Sequence, residues 1–430
     1  MLLTVKNIAK IKDAQIALKG ITVIAGENNT GKSTVGKALY CLVSSFFNVE
    51  NKLADTRIER ITNSVQRFYS RRRMVMARKD GTTGINSRRI ARDVYEKWQA
   101  LPKDEISGPE ALRKLLSPDL MCIFKLEEGD ENEQFVQMLD MVVETLLFDE
   151  IETLKLIVDN YFSAEFEGEI NHVNRLTQIA EVSLALNQQV LSVRFKANKC
   201  TNIATDYEML SKATYVDSPF ILDDLDGFYF SPYKHRYDLI HKLRGRGLES
   251  NLIDEAISRK KLGDVLSIVN DVADGDFIDN DMNETVFKEK ELKAPLHLSN
   301  LSTGMKTFVI LKRLIEYGAL AEQDLLILDE PEVHLHPAWQ LKFAEILVLL
   351  QKQFDITILL NTHSPYFLNA VEVFSQKYGI ADKCAYYLSE LQGASAVIED
   401  VGGNTERIYK KLADPFQTLE NQCRQFSRKQ

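Results

Sequence analysis

The sequence predicts an α/β fold in which a mixed β-sheet core is interrupted by one large helical insertion. Three observations predict it. A Gly-rich loop, GENNTGKST from Gly26 to Thr34, follows an apolar run (Ile21 to Ala25) and opens an amphipathic segment with Val35, Ala38, Leu39 and Leu42 on one face. Two more apolar runs, LLILDEPE and ITILLNTHSP, each end in polar residues, the mark of strands buried on both faces of a parallel sheet. Between these runs and the first loop lies a polar stretch, about residues 46 to 160, whose apolar positions recur at helical spacing.

Composition sets the limits. At 430 residues there is room for two or three lobes around more than one core. Hydrophobic content of 45% and charged content of 27% are those of an ordinary globular protein. No apolar run reaches the roughly 18 to 20 residues of a membrane helix. The start, MLLTVKNIAKIKDAQIALKG, alternates like strands and lacks a signal peptide's apolar core and cleavage site. Cys41, Cys122, Cys200, Cys384 and Cys423 are scattered, odd in number and without metal-binding spacing. A reducing, cytoplasmic compartment is expected. The net charge of −9 gives the whole chain no attraction for nucleic acid, so any such surface must be local.

Taken in order, residues 1 to about 45 read strand, strand, loop, helix. The insertion, 46–160, divides by charge. Arg57 to Lys97 carries twelve Lys or Arg against four Asp or Glu, whereas acids dominate Glu127 to Asp159. In the acidic half Phe135, Met138, Leu139, Val142, Val143, Leu146 and Leu147 keep a helical period, but heptads are not sustained. From Tyr161 to Tyr233 the pattern predicts short strands: EFEGEINHV, QVLSVRFKAN and ATYVDSPFIL. Residues 235 to 270 predict helices, and GDFIDNDMNETVFKEKELKAPLHLSN a hairpin. Strands are expected at Ala385–Ser389 and Ser395–Val401, then a helix with Ile408, Leu412, Phe416 and Leu419 spaced to pack. The head is thus 1–45 joined to 160–430.

The spelling of the loop is chemical. Glycines let the backbone curl so that its N–H groups face inward around phosphate oxygens, at the positive end of a helix. The candidate binding residues are Gly26, Asn28, Asn29, Thr30, Gly31, Lys32, Ser33 and Thr34. Lys32 supplies mobile charge for the terminal phosphates, and the Ser33 hydroxyl can ligate Mg²⁺. The expected ligands are therefore ATP and Mg²⁺. Ser302-Thr303-Gly304 opens a helix striped by Phe308, Leu311, Leu314 and Ile315, and Ser302 can cap it and present its N-terminus to a phosphate. At the end of LLILDEPE, Asp329 can hold the metal shell and Glu330 can polarise the attacking water. His363, ending ITILLNTHSP, can touch the terminal phosphate or Glu330. Each motif alone has a plainer reading, as a capped helix start, a strand-end turn or a structural histidine. Four in this order do not. His334-x-His336 beside Glu332 reads as packing or a loop role rather than a zinc site, with no Cys or other His close in sequence.

These motifs resemble those of ABC-class ATPases, in the non-transporter branch that includes RecF, the SMC-like repair ATPases and the OLD family. Gly26 to Ser33 matches the Walker A loop, Leu301 to Lys306 the signature, Leu325 to Glu330 Walker B, and His363 the switch histidine. DEPEVHLHP, Asp329 to Pro337, is similar to the OLD-like spelling. The length and the closing DPFQTLE are similar to stand-alone bacterial antiphage ATPases, the PtuA subunits of Septu and retron systems and the AriA subunit of PARIS among them. The likeness spans about residues 1–45 and 160–420. It implies an ABC-type head in which two chains sandwich ATP, with Ser302 and Gly304 of one acting in trans on the nucleotide that Lys32 of the other holds. It further implies Glu330 as general base, Lys32 and His363 as charge stabilisers, and Ser33 and Asp329 as Mg²⁺ anchors. LSTGM stands where transporters have LSGGQ, which implies slow turnover. No Q-loop glutamine is evident. ATYVDSPF lies where one belongs, so Asp217 or Ser218 is a candidate and a solvated turn the alternative.

The resemblance implies an ATPase subunit of an antiphage complex, a homodimer or larger, controlling a separately encoded nuclease or toxin. The alternative is a RecF-like repair ATPase that clamps DNA under ATP control. A slow ATP-bound scaffold is a third reading. The arginine-rich stretch Arg71 to Arg92, with Tyr69 and Trp98 able to stack, is open to three uses: a nucleic-acid backbone, a docking protein, or a solvated face neutralised by the acidic half. The long insertion and the ExHLHP ending argue against a transporter subunit, and no D-x-D pair follows His363 to hold the metals of a nuclease.

Overall fold

The computed structural model describes residues 1–76, 86–102, 108–126, 133–206, 208–227, 231–245, 263–280 and 284–427. The chain divides into two compact units, Met1–Phe47 with Val158–Gln430, and Asn48–Ile157. No helix among the described residues is long and apolar enough to cross a membrane.

The first unit is built on a sheet. Its strands are β1 (Leu2–Ile8), β2 (Ile11–Ala17), β3 (Ile21–Gly26), β4 (Ala180–Leu186), β5 (Gln189–Lys196), β6 (Lys199–Thr205) and β7 (Ala213–Val216). After them come β8 (Gly275–Asp279), β9 (Thr285–Glu289), β10 (Leu296–His297), β11 (Leu325–Asp329), β12 (Thr357–Thr362), β13 (Cys384–Gln392) and β14 (Ser395–Asp400). Among the described residues eleven of these join in the order β6-β5-β4-β1-β2-β14-β13-β3-β12-β11-β7, and β10-β9-β8 form a small separate sheet. The pairs from β13 through β3, β12 and β11 to β7 are parallel, and those from β6 to β2 antiparallel, so the sheet is mixed.

Burial explains the parallel half. Every residue of β3 is buried, as is nearly all of β11 and β12, because layers of helix cover both faces. Leu326 and Leu328 of β11 enter a core with Phe308 and Leu314 of the helix Thr303–Glu316 and Phe343 and Leu347 of the helix Pro337–Phe354. Ile327, between them, turns the other way toward α1 (Lys32–Phe46). A Cβ on Gly36 of α1 would stand 3.1 Å from the Ile327 methyl, so the glycine lets helix and strand approach. The register then aligns the strand ends. Asp329 pairs with Asn361, Thr362 with Ala25, and Val216 with Leu328.

The second unit is helical: α2 (Val49–Met76), α3 (Ser87–Gln99), α4 (Pro109–Phe124), α5 (Glu133–Leu147) and the start of α6 (Glu150–Glu165). Phe68 lies edge-on to Phe124 at 4.8 Å and to Phe135 at 5.9 Å, at the centre of its own core. Part of the basic half is neutralised by the acidic half. Arg60 meets Glu144 at 3.1 Å and Arg57 meets Glu150 at 3.6 Å; Arg113, between the halves, meets Asp140 at 2.7 Å. Arg67, Arg71, Arg88, Arg89 and Arg92 are exposed and have no ion pair among the described residues. Residues 77–85, within the Arg71–Arg92 stretch, lie outside the described residues.

Several sequence expectations need correction. EFEGEINHV is not a strand. α6 runs on to Glu165, Gly168 turns at φ 81° and its N–H donates to Ser163 O, and only Asn171 makes a β-bridge, to Ile8. The alternation there is a helix end and a loop, not a pleat. β4 and β6 were missed, although β5 was found between them. The expected hairpin is three-stranded, and of the helices expected over 235–270 the structure shows Lys234–Leu243 and Gly263–Asn270, with 246–262 outside the described residues. In the last helix, Glu406–Ser427, Ile408 is buried but Leu419 is 58% exposed, so the packing stripe ends early. The Phe416 side chain lies outside the described part.

Candidate nucleotide site

The loop after β3, the carboxyl ends of β7 and β11, and the start of α1 enclose a cavity of about 420 Å³. Asn28, Asn29, Ser33, Asp217, Asp329 and Glu330 line it. Parallel strands place their carboxyl ends on one edge of a sheet, which is where α/β folds hold ligands.

The loop is pinned from below. Gly26 lies so close to β13 that an added Cβ would stand 2.2 Å from the Ser389 carbonyl oxygen. Ser389 Oγ donates to Thr30 O at 2.7 Å, and Thr30 Oγ1 donates to Glu27 O at 2.8 Å. Asn29 takes a left-handed φ of 67° and accepts from Lys10 Nζ at 2.5 Å. Gly31 precedes α1, and Thr34 lies in its first turn. Lys32, 4% exposed, donates to the carbonyls of Gly26 at 2.9 Å and Glu27 at 2.8 Å. Its Nζ also lies 3.4 Å from Glu330 Oε1.

The strand ends complete the constellation. Asp329 Oδ1 accepts from Asn361 Nδ2 at 3.0 Å and Oδ2 from the Tyr215 hydroxyl at 3.1 Å. Glu330 follows with φ 49°, and His363 Nδ1 lies 3.3 Å from its Oε2. Glu332 is buried beneath them. Its Oε1 accepts from Thr362 Oγ1 at 2.5 Å and from His363 N at 3.2 Å. Burial raises its carboxyl above the usual range, and the bond from Thr362 offsets this only in part. Lys32, Glu330 and His363 thus form one continuous cluster.

Ser302 and Gly304 do not line this cavity. They line an adjoining recess with Thr303, His336 and Trp339, and His334 is common to both. Ser302 Oγ accepts from Met305 N at 3.3 Å, capping its helix, and His336 Nδ1 accepts from Ala338 N to cap the next. His334 lies edge-on to Phe220 at 5.6 Å. Ser218 caps a short turn by accepting from Phe220 N, while Asp217 is gripped by Arg236.

Sequence reading missed Tyr215, Asn361, Lys10 and the buried role of Glu332. It also missed Lys411, which reaches Glu27 of the loop at 3.5 Å from the last helix. Asn361 had a signal, standing two residues before His363 at a buried strand end. Tyr215 and the lysines had none, because their partners are remote in sequence.

Comparison with known proteins now bears on this geometry. A family described as "AAA domain, putative AbiEii toxin, Type IV TA system" matches residues 190–369, from β5 to beyond His363. The Septu protein PtuA of Bacillus thuringiensis is 26% identical over 238 residues, covering 49% of this chain and 58% of PtuA. In these matches the head is similar to ABC-type ATPases. The chain is also 28% identical over 175 residues to the phosphate import ATP-binding protein PstB of Pyrococcus furiosus, covering 35% of itself and 63% of PstB. It therefore spans less than two thirds of the length of either relative. Two solved structures align along most of the chain. The SMC head domain from Thermotoga maritima covers 93% of it, with 98% of its own length, 10% identity and a TM-score of 0.39. An SMC head bound to the C-terminal winged-helix domain of ScpA covers 94%, with 98% of its own length, 12% identity and a TM-score of 0.43.

Proposed function

We propose that this chain binds and slowly hydrolyses ATP as the ATPase subunit of a cytoplasmic bacterial antiphage complex, pairing head to head and controlling a separately encoded nuclease or toxin. The observation that carries the ATPase reading is Glu330 set between Lys32, at 3.4 Å, and His363, at 3.3 Å. Glu330 is the group placed to take a proton from the attacking water, with Lys32 and His363 stabilising charge on the terminal phosphate. Asp329 and Ser33 offer a carboxylate and a hydroxyl in one cavity, hard oxygen donors that fit Mg²⁺. Bound there, the ion would neutralise charge on the phosphate oxygens.

Pairing is supported by where the Ser302 helix begins. Ser302 and Gly304 do not line the cavity that holds Ser33, Asp329 and Glu330, so a second copy would bring them to its phosphate. The defence role is supported by the likeness to PtuA. Size-exclusion chromatography of Glu330→Gln with Mg²⁺–ATP tests the pairing. A stable dimer is expected, and a monomer that holds ATP would rule out pairing.

The second reading is an ATP-controlled DNA clamp of RecF type. The five exposed arginines of the second unit that have no ion pair among the described residues favour nucleic-acid contact. Binding of naked duplex DNA that tightens with ATP would select this reading. Co-purification with a nuclease or toxin, without such binding, would select the first.

A further inference from the structure

Beside the nucleotide cavity lies a buried charge cluster that the chemistry above does not use. Val216, Asp217, Ser218 and Pro219 form one wall of the cavity. Asp217 ties that wall down. Its Oδ2 accepts from Arg236 Nη2 at 2.6 Å and Nε at 3.1 Å, and lies 3.2 Å from His235 Nε2. His235 itself is 2% exposed. Its Nδ1 is 2.6 Å from Glu165 Oε2, and its backbone N–H donates to Glu165 Oε1 at 2.9 Å. Glu165, 1% exposed, is the last residue of α6.

A neutral imidazole carries one ring proton. Here Nδ1 is hydrogen-bonded to Glu165, while Nε2 stands 3.2 Å from Asp217 Oδ2 without the alignment of a hydrogen bond, so two nearby carboxylates favour the doubly protonated ring by charge. The cluster then balances, with Glu165 and Asp217 against His235 and Arg236, the condition under which buried charge is tolerated. The other groups facing His235 are phenols: Tyr215 of β7 at 4.6 Å, and Tyr40 of α1 and Tyr233 each at 5.9 Å. Tyr215 in turn holds Asp329, Tyr40 is hydrogen-bonded to Asp238, and Lys37 donates to the Glu165 carbonyl at 3.1 Å.

We propose that His235 is a positioning residue: clamped between Glu165 and Asp217, it fixes the Val216–Pro219 wall where the cavity is competent for hydrolysis. The proposal rests on the ATPase reading. Burial alone would strip the extra proton from His235, but Asp217 and Glu165 override it and raise its pKa. Burial likewise pushes the Asp217 carboxyl up, yet His235 and Arg236 bring it down to about 2.

The test measures ATP hydrolysis, ATP binding and melting temperature for the full chain and for His235→Gln and Asp217→Asn, from about pH 6 to 9. A loosened wall is expected to lower kcat by about 10- to 100-fold while ATP affinity changes less than about threefold. The unaltered chain is expected to lose activity on the alkaline side as His235 gives up its second proton, and His235→Gln to lack that limb. Asp217→Asn, nearly isosteric, carries the test alone if His235→Gln does not fold. Normal kcat in both variants overturns the proposal. So does a rate that falls only with the folded fraction while the alkaline limb persists, since that is a purely structural role. An unaltered chain inert toward ATP removes the ATPase reading and this proposal together; an active one with indifferent variants removes this proposal alone.

Discussion

Lys32 Nζ stands 3.4 Å from Glu330 Oε1 although the strands that lead to them, β3 and β11, are separated by β12. Glu330 reaches across by adopting φ 49°, a left-handed conformation that costs a side-chain-bearing residue about 1–3 kcal/mol. Strain of that size persists where the surrounding structure imposes it, here the backbone bond from Glu330 N to Asn361 O at 2.9 Å.

From that pairing, Glu330→Gln should keep ATP bound yet slow hydrolysis by about 100-fold or more, the contribution of a positioned base. Lys32→Ala should instead weaken ATP binding by about 10- to 100-fold, the loss of a charged hydrogen bond. Single-turnover hydrolysis and equilibrium binding separate the two. A Glu330→Gln chain that hydrolyses at the normal rate means the base lies elsewhere.

Tyr215→Phe removes one of the two hydrogen bonds that orient Asp329 while leaving the one from Asn361. The loss is about 1 kcal/mol of orientation, so the Mg²⁺ concentration that half-saturates hydrolysis should rise about fivefold. Titrating Mg²⁺ at saturating ATP reads this directly. An unchanged midpoint would mean that Asn361 alone sets the carboxylate.

What the sequence could reveal follows from distance along the chain. The loop, the Ser302 helix and the two acid- and histidine-tipped strands are contiguous runs, so strand, turn and helix could each be read from their own residues. Sheet order could not, because β12 enters between β3 and β11 from far downstream. The His235 cluster was equally hidden: Glu165 is 70 residues from its partner, in a stretch read as a strand. Alternation in EFEGEINHV imitated a pleat because a helix end and a left-handed Gly168 happen to space apolar residues in the same way.

For the second unit, the five exposed arginines make a graded expectation. If Arg67, Arg71, Arg88, Arg89 and Arg92 contact phosphates, each Arg→Ala change should lower the slope of log Kd against log salt by about 0.9 for duplex DNA. Arg60→Ala, already neutralised by Glu144, should change the slope much less. Fluorescence anisotropy at several salt concentrations provides the measurement. Equal slopes for all variants would assign this face to a protein partner or to solvent.

Glu332 supplies a pH dependence whose sign can be worked out. Its folded pKa is raised from the usual 4.5 by burial, so the stability tied to this carboxyl is whole below about pH 4.5 and is lost as pH rises through the folded value. Glu332→Gln keeps an oxygen to accept from Thr362 and His363 but cannot ionise. Its melting temperature should therefore fall less than that of the unaltered chain as pH climbs out of the acid range. Parallel curves would show that Glu332 is solvated or already paired.

Gly26 is the sharpest steric test of the loop's footing. An alanine there would place Cβ 2.2 Å from the Ser389 carbonyl oxygen, and that oxygen cannot step aside because β3 and β13 are paired through Leu388↔Ala25 and Ser389↔Gly26. The strain should destabilise the chain by about 1–3 kcal/mol. It should also weaken ATP binding, since Ser389 Oγ holds Thr30 and the loop would move with the strand. Gly403→Ala is the control: a Cβ there meets nothing within 4 Å, and the change should stay within about 0.5 kcal/mol. Urea midpoints for the two variants decide the matter. If Gly26→Ala unfolds at the same midpoint as Gly403→Ala, the loop does not sit against β13 in the way its close approach requires.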